Sequence, residues 1–385
     1  MMHIKNSIYI IVLLILAGCI KAYEPKLNSD SVQKYVVQGG VSSIEGYQEV
    51  NVSLTSSVDH PEIIGVSNCQ VTIIDSQNNE FSLSEFEKGV YKVWMGKESL
   101  IIGLSYKVRV ITPDGETLES NFDQMPDGPD VDHVYYEIEE IPTNDLDISH
   151  LGIRLLVNLR ANNNESRYYR WKLTETWEYH SEYPIEYYYD GQVQQEIPPD
   201  FSQMVCWTTL PIKEIFTLST VNLSENSFDG FPLNFVENNT TRLAVLYSLW
   251  IEQISLSQDA FTYWDQLRQN STQDGGLYSS QPIAIKGNMK NLSHDDKDVL
   301  GYFQASTVST KRLFIYPVDD LFMDFINMCD TVLLEHGLIE ISPRDYPAYL
   351  MTIDGHMSLY QMNVECVQCT SRGGTTEKPN FWPTK

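Results

Sequence analysis

Apolar and polar residues alternate in short runs between about Lys34 and Phe122, at 34–38, 48–54, 69–75, 79–83, 90–94, 105–111 and 116–120. A period of two sends successive side chains to opposite faces of an extended strand, so each run predicts a half-buried β-strand. In the clearest run Tyr106, Val108 and Val110 are interleaved with Lys107, Arg109 and Ile111. Asp75-Ser-Gln-Asn-Asn79 and Pro113-Asp-Gly115 carry the residue types that favour tight reversals. The pattern predicts a β-sandwich over residues 34–124.

Gln124-Met-Pro-Asp-Gly-Pro-Asp130 breaks the pattern with two prolines, a glycine and two aspartates, and a domain boundary is placed there. Alternation then returns with Ile153, Leu155, Val157 and Leu159 on one face. Nine Tyr or Trp residues follow between Tyr168 and Tyr189. On a long strand, Tyr169, Trp171, Leu173, Trp177 and Tyr179 share one side, and Arg170, Lys172, Thr174, Thr176 and Glu178 share the other. A further strand is expected over 243–254. Ser257 is read as the N-cap of a helix to about Gln269, with Ala260, Phe261, Trp264 and Leu267 as its apolar stripe. Strand signals recur at 282–286, 301–307 and 312–315, a second short helix is expected over 319–329, and residues 371–385 read as an extended tail. The fold class is therefore mainly β: an N-terminal immunoglobulin-like β-sandwich, then a larger β-rich domain over 125–370 with a few short helices.

The first residues follow a different pattern. Lys5 precedes an apolar run from Ile8 to Leu16, too short to span a bilayer, and the run ends in Leu16-Ala17-Gly18-Cys19. That tetrapeptide resembles the lipobox of bacterial lipoproteins. The resemblance implies a signal peptide over residues 1–18, cleavage between Gly18 and Cys19, and lipid on the Cys19 sulfur. Several acyl chains at ~0.8 kcal/mol per buried CH₂ would hold such a protein durably. Residues 19–33 read as a tether.

The chain carries 52 Asp and Glu against 26 Lys and Arg. Loss of Lys5 with the signal leaves 25 basic residues and a net charge of −27, which disfavours nucleic acid and bare anionic lipid as partners. Cys69, Cys206, Cys329, Cys366 and Cys369 follow Cys19, an odd number that leaves at least one thiol unpaired within the chain. We expect Cys206 to pair with one member of Cys366-x-x-Cys369, a couple at which a structural disulfide is favoured over a redox pair or half a zinc site, since zinc would need two further ligands and no second pair exists.

No His-Glu-x-x-His metal motif and no Gly-x-Ser-x-Gly nucleophile elbow occurs in the sequence. Asp127, Asp130 and Asp132 are close enough to nominate as oxygen ligands for calcium, against solvation of a linker as the plainer reading. Trp171, Trp177, Tyr179 and Tyr187 are the rings of the aromatic tract nominated to stack a ligand, against simple core packing.

Several stretches together resemble the Bacteroidota lipoproteins catalogued as the domain of unknown function four-two-four-nine. They are Tyr168 to Trp171, Cys206-Trp207, Tyr247 to Ser257, Ala260 to Trp264, Leu300 to Phe303, Cys366 to Gly374 and Lys378 to Trp382. The resemblance implies an outer-membrane address, expected here to face the cell surface, and the company of a TonB-dependent β-barrel transporter. It implies no reaction. Asp30-Ser31-Val32 and Asp330-Thr331-Val332 also match the short pattern for O-glycosylation in those bacteria, nominating Ser31 and Thr331. The expected function is a non-enzymatic accessory to the transporter, in ligand capture, barrel covering or assembly. A surface glycan- or protein-binding module resembling an adhesin is the alternative, and a hydrolase with an unrecognised site is a remote one.

Overall fold

The structure is a computed structural model that describes residues 33–56, 62–143, 149–271, 285–324, 328–352 and 358–384. Its first strands are β1 (Tyr35–Ser42), β2 (Gly46–Leu54), β3 (Ile64–Gly65), β4 (Gln70–Asp75), β5 (Glu80–Glu87), β6 (Val90–Met95), β7 (Ser105–Ile111), β8 (Thr117–Ser120) and β9 (Asp123–Gln124). Local chemistry sets their turns. The Asp75 carboxylate accepts from the backbone N–H of Gln77 at 2.9 Å and of Asn79 at 2.8 Å, and Asn78 takes a left-handed φ of 66°. At the β7–β8 turn Gly115 has φ 87°, and its N–H donates to the Thr112 carbonyl.

These strands form two layers. β5 belongs to both, pairing with β4 through Glu80–Leu83 and with β6 from Ser84 onward. Val37, Val50, Val52 and Tyr91 of one layer meet Val71, Ile73, Tyr106, Val108 and Leu118 of the other in a closed core. Burying each such side chain contributes roughly 1.5–3 kcal/mol.

The remaining elements are β10 (Val134–Pro142), β11 (Ser149–Arg160), β12 (Tyr168–His180), β13 (Ile185–Tyr189), β14 (Val193–Asp200), β15 (Val205–Ser219), β16 (Ser227–Glu237), β17 (Leu246–Ser255), α1 (Gln258–Ser271), β18 (Met289–Asn291), β19 (Phe303–Ile315), β20 (Thr331–Leu333), β21 (Ala348–Thr352) and β22 (Leu359–Met362). A second sandwich lays β10-β11-β16 over β15-β12-β17-β19. Ile153, Leu155, Val157 and Leu159 of β11 face Tyr169, Trp171 and Leu173 of β12 in its core. A small third sheet runs β14-β13-β21-β22-β20.

The boundary expected at residue 125 does not separate two contiguous units. β19 runs parallel to β1 through Phe303–Ser306 and antiparallel to β17 through Thr307–Ile315. β18 pairs with β8. Met289, Val299, Phe303 and Ala305 therefore complete the core of the first sandwich from the far end of the chain. The runs at 301–307 and 312–315 are the two ends of this one strand.

Two other expectations are corrected. Among the described part of 319–329 there is no helix, since Asp320 takes φ 66° and Leu321 turns into the second core. Residues 325–327 of that stretch, and 282–284 of the strand expected at 282–286, lie outside the described residues. The described part of 371–385, residues 371–384, is docked. Trp207 and Thr375 exchange backbone hydrogen bonds at 2.8 and 2.9 Å, and buried Trp382 donates from Nε1 to Glu178 Oε2 at 2.8 Å.

Candidate functional site

The residues nominated from the sequence do not converge on one place. Gly18, Cys19 and Ser31 lie outside the described residues. Thr331 is exposed on β20. Cys206 is bonded to Cys369, while Cys366 is bonded to Cys329, so the Cys-x-x-Cys couple is split between two bridges. Cys69 is the free cysteine among the described residues, and burial pushes its thiol pKa up.

Asp130 and Asp132 line one cavity together with Asn164, the partner of Asp127. Asp127 accepts from Asn164 Nδ2 at 2.9 Å, Asp130 from Ser309 Oγ at 3.1 Å, and the Asp132 backbone carbonyl from Lys311. Among the described residues no group of three His, Cys, Asp or Glu is placed to hold a metal.

The stacking residues are corrected more sharply. Trp171 is fully buried, stacked on Phe231 at 4.6 Å, and donates from Nε1 to Gln253 Oε1 at 3.2 Å. Tyr179 is buried and donates to the Cys369 carbonyl at 2.8 Å. Trp177 is half-buried beneath the Arg242 guanidinium, and Tyr187 packs against the core of the third sheet. Core packing has taken Trp171 and Tyr179, leaving no ring face of Trp171 for a ligand.

The other face of β12 carries the more open chemistry. Period-two alternation puts Arg170 and Lys172 opposite Trp171, on the face that α1 crosses. Ser257 caps α1 through a hydrogen bond from the Ala260 N–H at 3.2 Å. Phe261 of α1 then meets Tyr168 at 5.1 Å, and the Trp264 ring lies over the Arg170 guanidinium with 3.5 Å from Cζ to the ring centroid. Gln304 of β19 fixes the indole by accepting from Nε1 at 2.7 Å.

Arg170 and Trp264 line a cavity of about 280 Å³ at the seam between the sandwiches. Its floor is bare backbone at Gly39 and Gly40 of β1, where a Cβ on Gly40 would lie 2.5 Å from the Gln304 carbonyl oxygen. Tyr47, Glu49, Lys172, Glu252 and Gln304 complete the wall.

Arg170 has no hydrogen bond or ion pair among the described residues, and its Nε is buried without a partner. Burial, opposed by the Glu252 charge, pulls its pKa down to about 10. Neither carboxylate of the wall is committed to it, because Glu252 pairs with Lys172 at 3.3 Å and Glu49 with Lys92 at 3.1 Å. In the two cavities of about 580 Å³ the guanidinium and two of the ammonium groups are paired: Arg268 with Asp265 in one, which Lys213 also lines, and Lys34 with Asp298 and Lys297 with Glu116 in the other.

Burial raises the pKa of two carboxylates, Asp123 to about 6 and Glu175 above the ordinary carboxylate range. Structural partners hold both. Asp123 takes hydrogen bonds from Ser257 and Ala305, and Glu175 from Tyr247 at 3.1 Å, with Arg242 at 3.4 Å. Sequence patterning located Arg170 on the polar side of its strand, but its isolation depends on a helix that crosses nearly a hundred residues later.

A family model described as Domain of unknown function (DUF4249) matches residues 20–312. The match takes in Tyr168 to Trp171, Cys206-Trp207 and the Tyr247 to Phe303 stretches, and ends before Cys366. No curated protein matches the chain.

Proposed function

Because the chain belongs to this family of unknown function, we propose that it is a cell-surface lipoprotein of an outer membrane, anchored through Cys19, that captures a ligand for a TonB-dependent β-barrel transporter without converting it chemically. The observation that carries the capture role is the seam cavity, lined by a guanidinium that lies against the Trp264 ring and has no hydrogen-bond acceptor among the described residues. A charge left in that condition is costly to bury and is offset when a ligand supplies the missing acceptor. The anchor rests on the Leu16-Ala17-Gly18-Cys19 tetrapeptide, and the placement beside a transporter on the kinship named above.

Affinity purification of the lipidated protein from its native membrane tests the reading. A large β-barrel protein should be recovered with it in stoichiometric amounts. Repeated recovery of the bait alone removes the transporter from the proposal, and retention of a Cys19→Ala variant on the membrane removes the anchor.

A second reading, a surface module that grips a glycan or protein, is favoured by different rings from those the sequence suggests. Tyr47 and Trp94 are 69% and 58% exposed on neighbouring strands and meet edge to face at 5.2 Å. Tyr47→Ala combined with Trp94→Ala would abolish adhesion under this reading and leave barrel recovery unchanged.

A further inference from the structure

We propose that the seam cavity is a binding site for a small carboxylate with a flat apolar body, the carboxylate paired with Arg170 and the body held by the rings of Trp264 and Tyr47. The inference rests on the capture role proposed above and gives it a chemical class.

Three features of the cavity define that class. The first is the donor set. A guanidinium presents N–H groups in a planar fork that matches the two oxygens of a carboxylate. Arg170 is the cation of the wall whose charge is uncommitted, since Lys172 is bound to Glu252. The Trp264 ring, 3.5 Å from Cζ, restrains the guanidinium, so less side-chain freedom remains to be lost on binding.

The second feature is the charge balance of the wall. Glu49 and Glu252 are paired with Lys92 and Lys172, which leaves the single positive charge of Arg170 to be matched by a ligand. The charge complement thus selects a monoanion over a phosphate ester. The third is size and lining. About 280 Å³ falls just under the range usual for drug-sized ligands and suits a molecule of one ring and a short acid arm. Tyr47 lines the cavity while 69% of its own surface remains in solvent, so closing over an apolar body removes that surface from water.

Calorimetric titration of the full-length lipidated protein in detergent micelles with phenylacetate, phenylacetamide and inorganic phosphate tests the proposal. Phenylacetate should bind saturably at one site. Phenylacetamide, equal in shape and uncharged, should bind at least ~10-fold more weakly, the difference expected for a charge-assisted pair. Phosphate should not compete at equal concentration. Arg170→Met should remove phenylacetate binding, and Arg170→Lys, which keeps charge and loses the fork, should retain part of it. Tyr47→Ala should lower affinity several-fold.

Equal binding of acid and amide, undiminished binding to Arg170→Met, competition by phosphate, or no saturable binding of phenylacetate would each overturn the proposal. Folding is controlled separately. Loss of an uncompensated buried charge should leave the melting temperature of Arg170→Met at or above wild type, and a large drop would instead make the guanidinium a structural group. Recovery of a barrel alongside failed carboxylate binding leaves the accessory role standing and removes this inference. Carboxylate binding without a barrel does the reverse.

Discussion

Asp123 accepts a hydrogen bond from Ser257 at 2.6 Å across 134 residues of chain. The same carboxylate takes the Ala305 N–H at 2.8 Å, and Ser257 in turn caps α1. One acidic side chain at the exit of the first sandwich therefore ties together the helix start and the strand shared by both sandwiches.

That position makes stability depend on pH. Burial raises the Asp123 pKa from an ordinary 3.8 to about 6 in the folded protein, so the folded state holds a proton that the unfolded state releases. The contribution is fully present below about pH 4 and is lost as pH rises through 6, by roughly 2–3 kcal/mol. Urea unfolding between pH 4 and pH 7.5 should show this fall, and Asp123→Asn should flatten it. An unchanged slope in that variant would assign the dependence to other groups.

The two disulfides should differ in weight. Cys206–Cys369 spans 163 residues and Cys329–Cys366 spans 37. Constraint of the unfolded chain gives upper estimates of about 5 and about 4 kcal/mol respectively. Paired alanine variants should lose stability in that order, read as the shift in denaturation midpoint at constant slope. A smaller loss for Cys206→Ala with Cys369→Ala would contradict the order.

Trp171→Ala should cost about 3–5 kcal/mol, the range for removing a large buried aromatic ring. It also strands Gln253, whose Oε1 accepts from the indole while Nε2 donates to the Pro129 carbonyl at 3.0 Å. Trp171→Phe should recover most of the packing without the hydrogen bond. Wild-type stability in the alanine variant would mean the ring is not in the core.

Gly40→Ala should prise β1 from β19, because the new methyl would sit 2.5 Å from the Gln304 carbonyl oxygen. We expect a loss above ~3 kcal/mol or failure to fold. Gly103→Ala is the control, with a left-handed φ of 87° and open space around it, and should cost about 1 kcal/mol. Comparable melting temperatures for the two would undo the close-approach argument.

The strands of the first sandwich were legible because each has one wet face, as Lys107 and Arg109 between Tyr106, Val108 and Val110 show. Ser257 announced α1 by cap chemistry. β19 was not legible as one strand, since Ser309, Thr310 and Lys311 interrupt its apolar pattern and its parallel partner β1 lies some 260 residues away. The apolar spacing over 319–329 imitated a helix because Leu321 and Met323 reach the second core from non-helical chain. At the candidate site, alternation revealed which side of β12 Arg170 occupies but not that Trp264 would shield it. Burial without a partner arises from tertiary crossing, which no local pattern encodes.

The shared strand β19 also fixes an order of events. Residues Tyr35 to Gln124 leave the ribosome before the second sandwich, yet their own sandwich lacks two of its strands until Asn291 and Ser306 have been made. Until then the outer edges of β1 and β8 are bare templates for any other extended chain. Pairings this distant close slowly. A fragment ending near residue 125 should therefore aggregate when expressed alone, and the first sandwich is finished only after most of the second has been made.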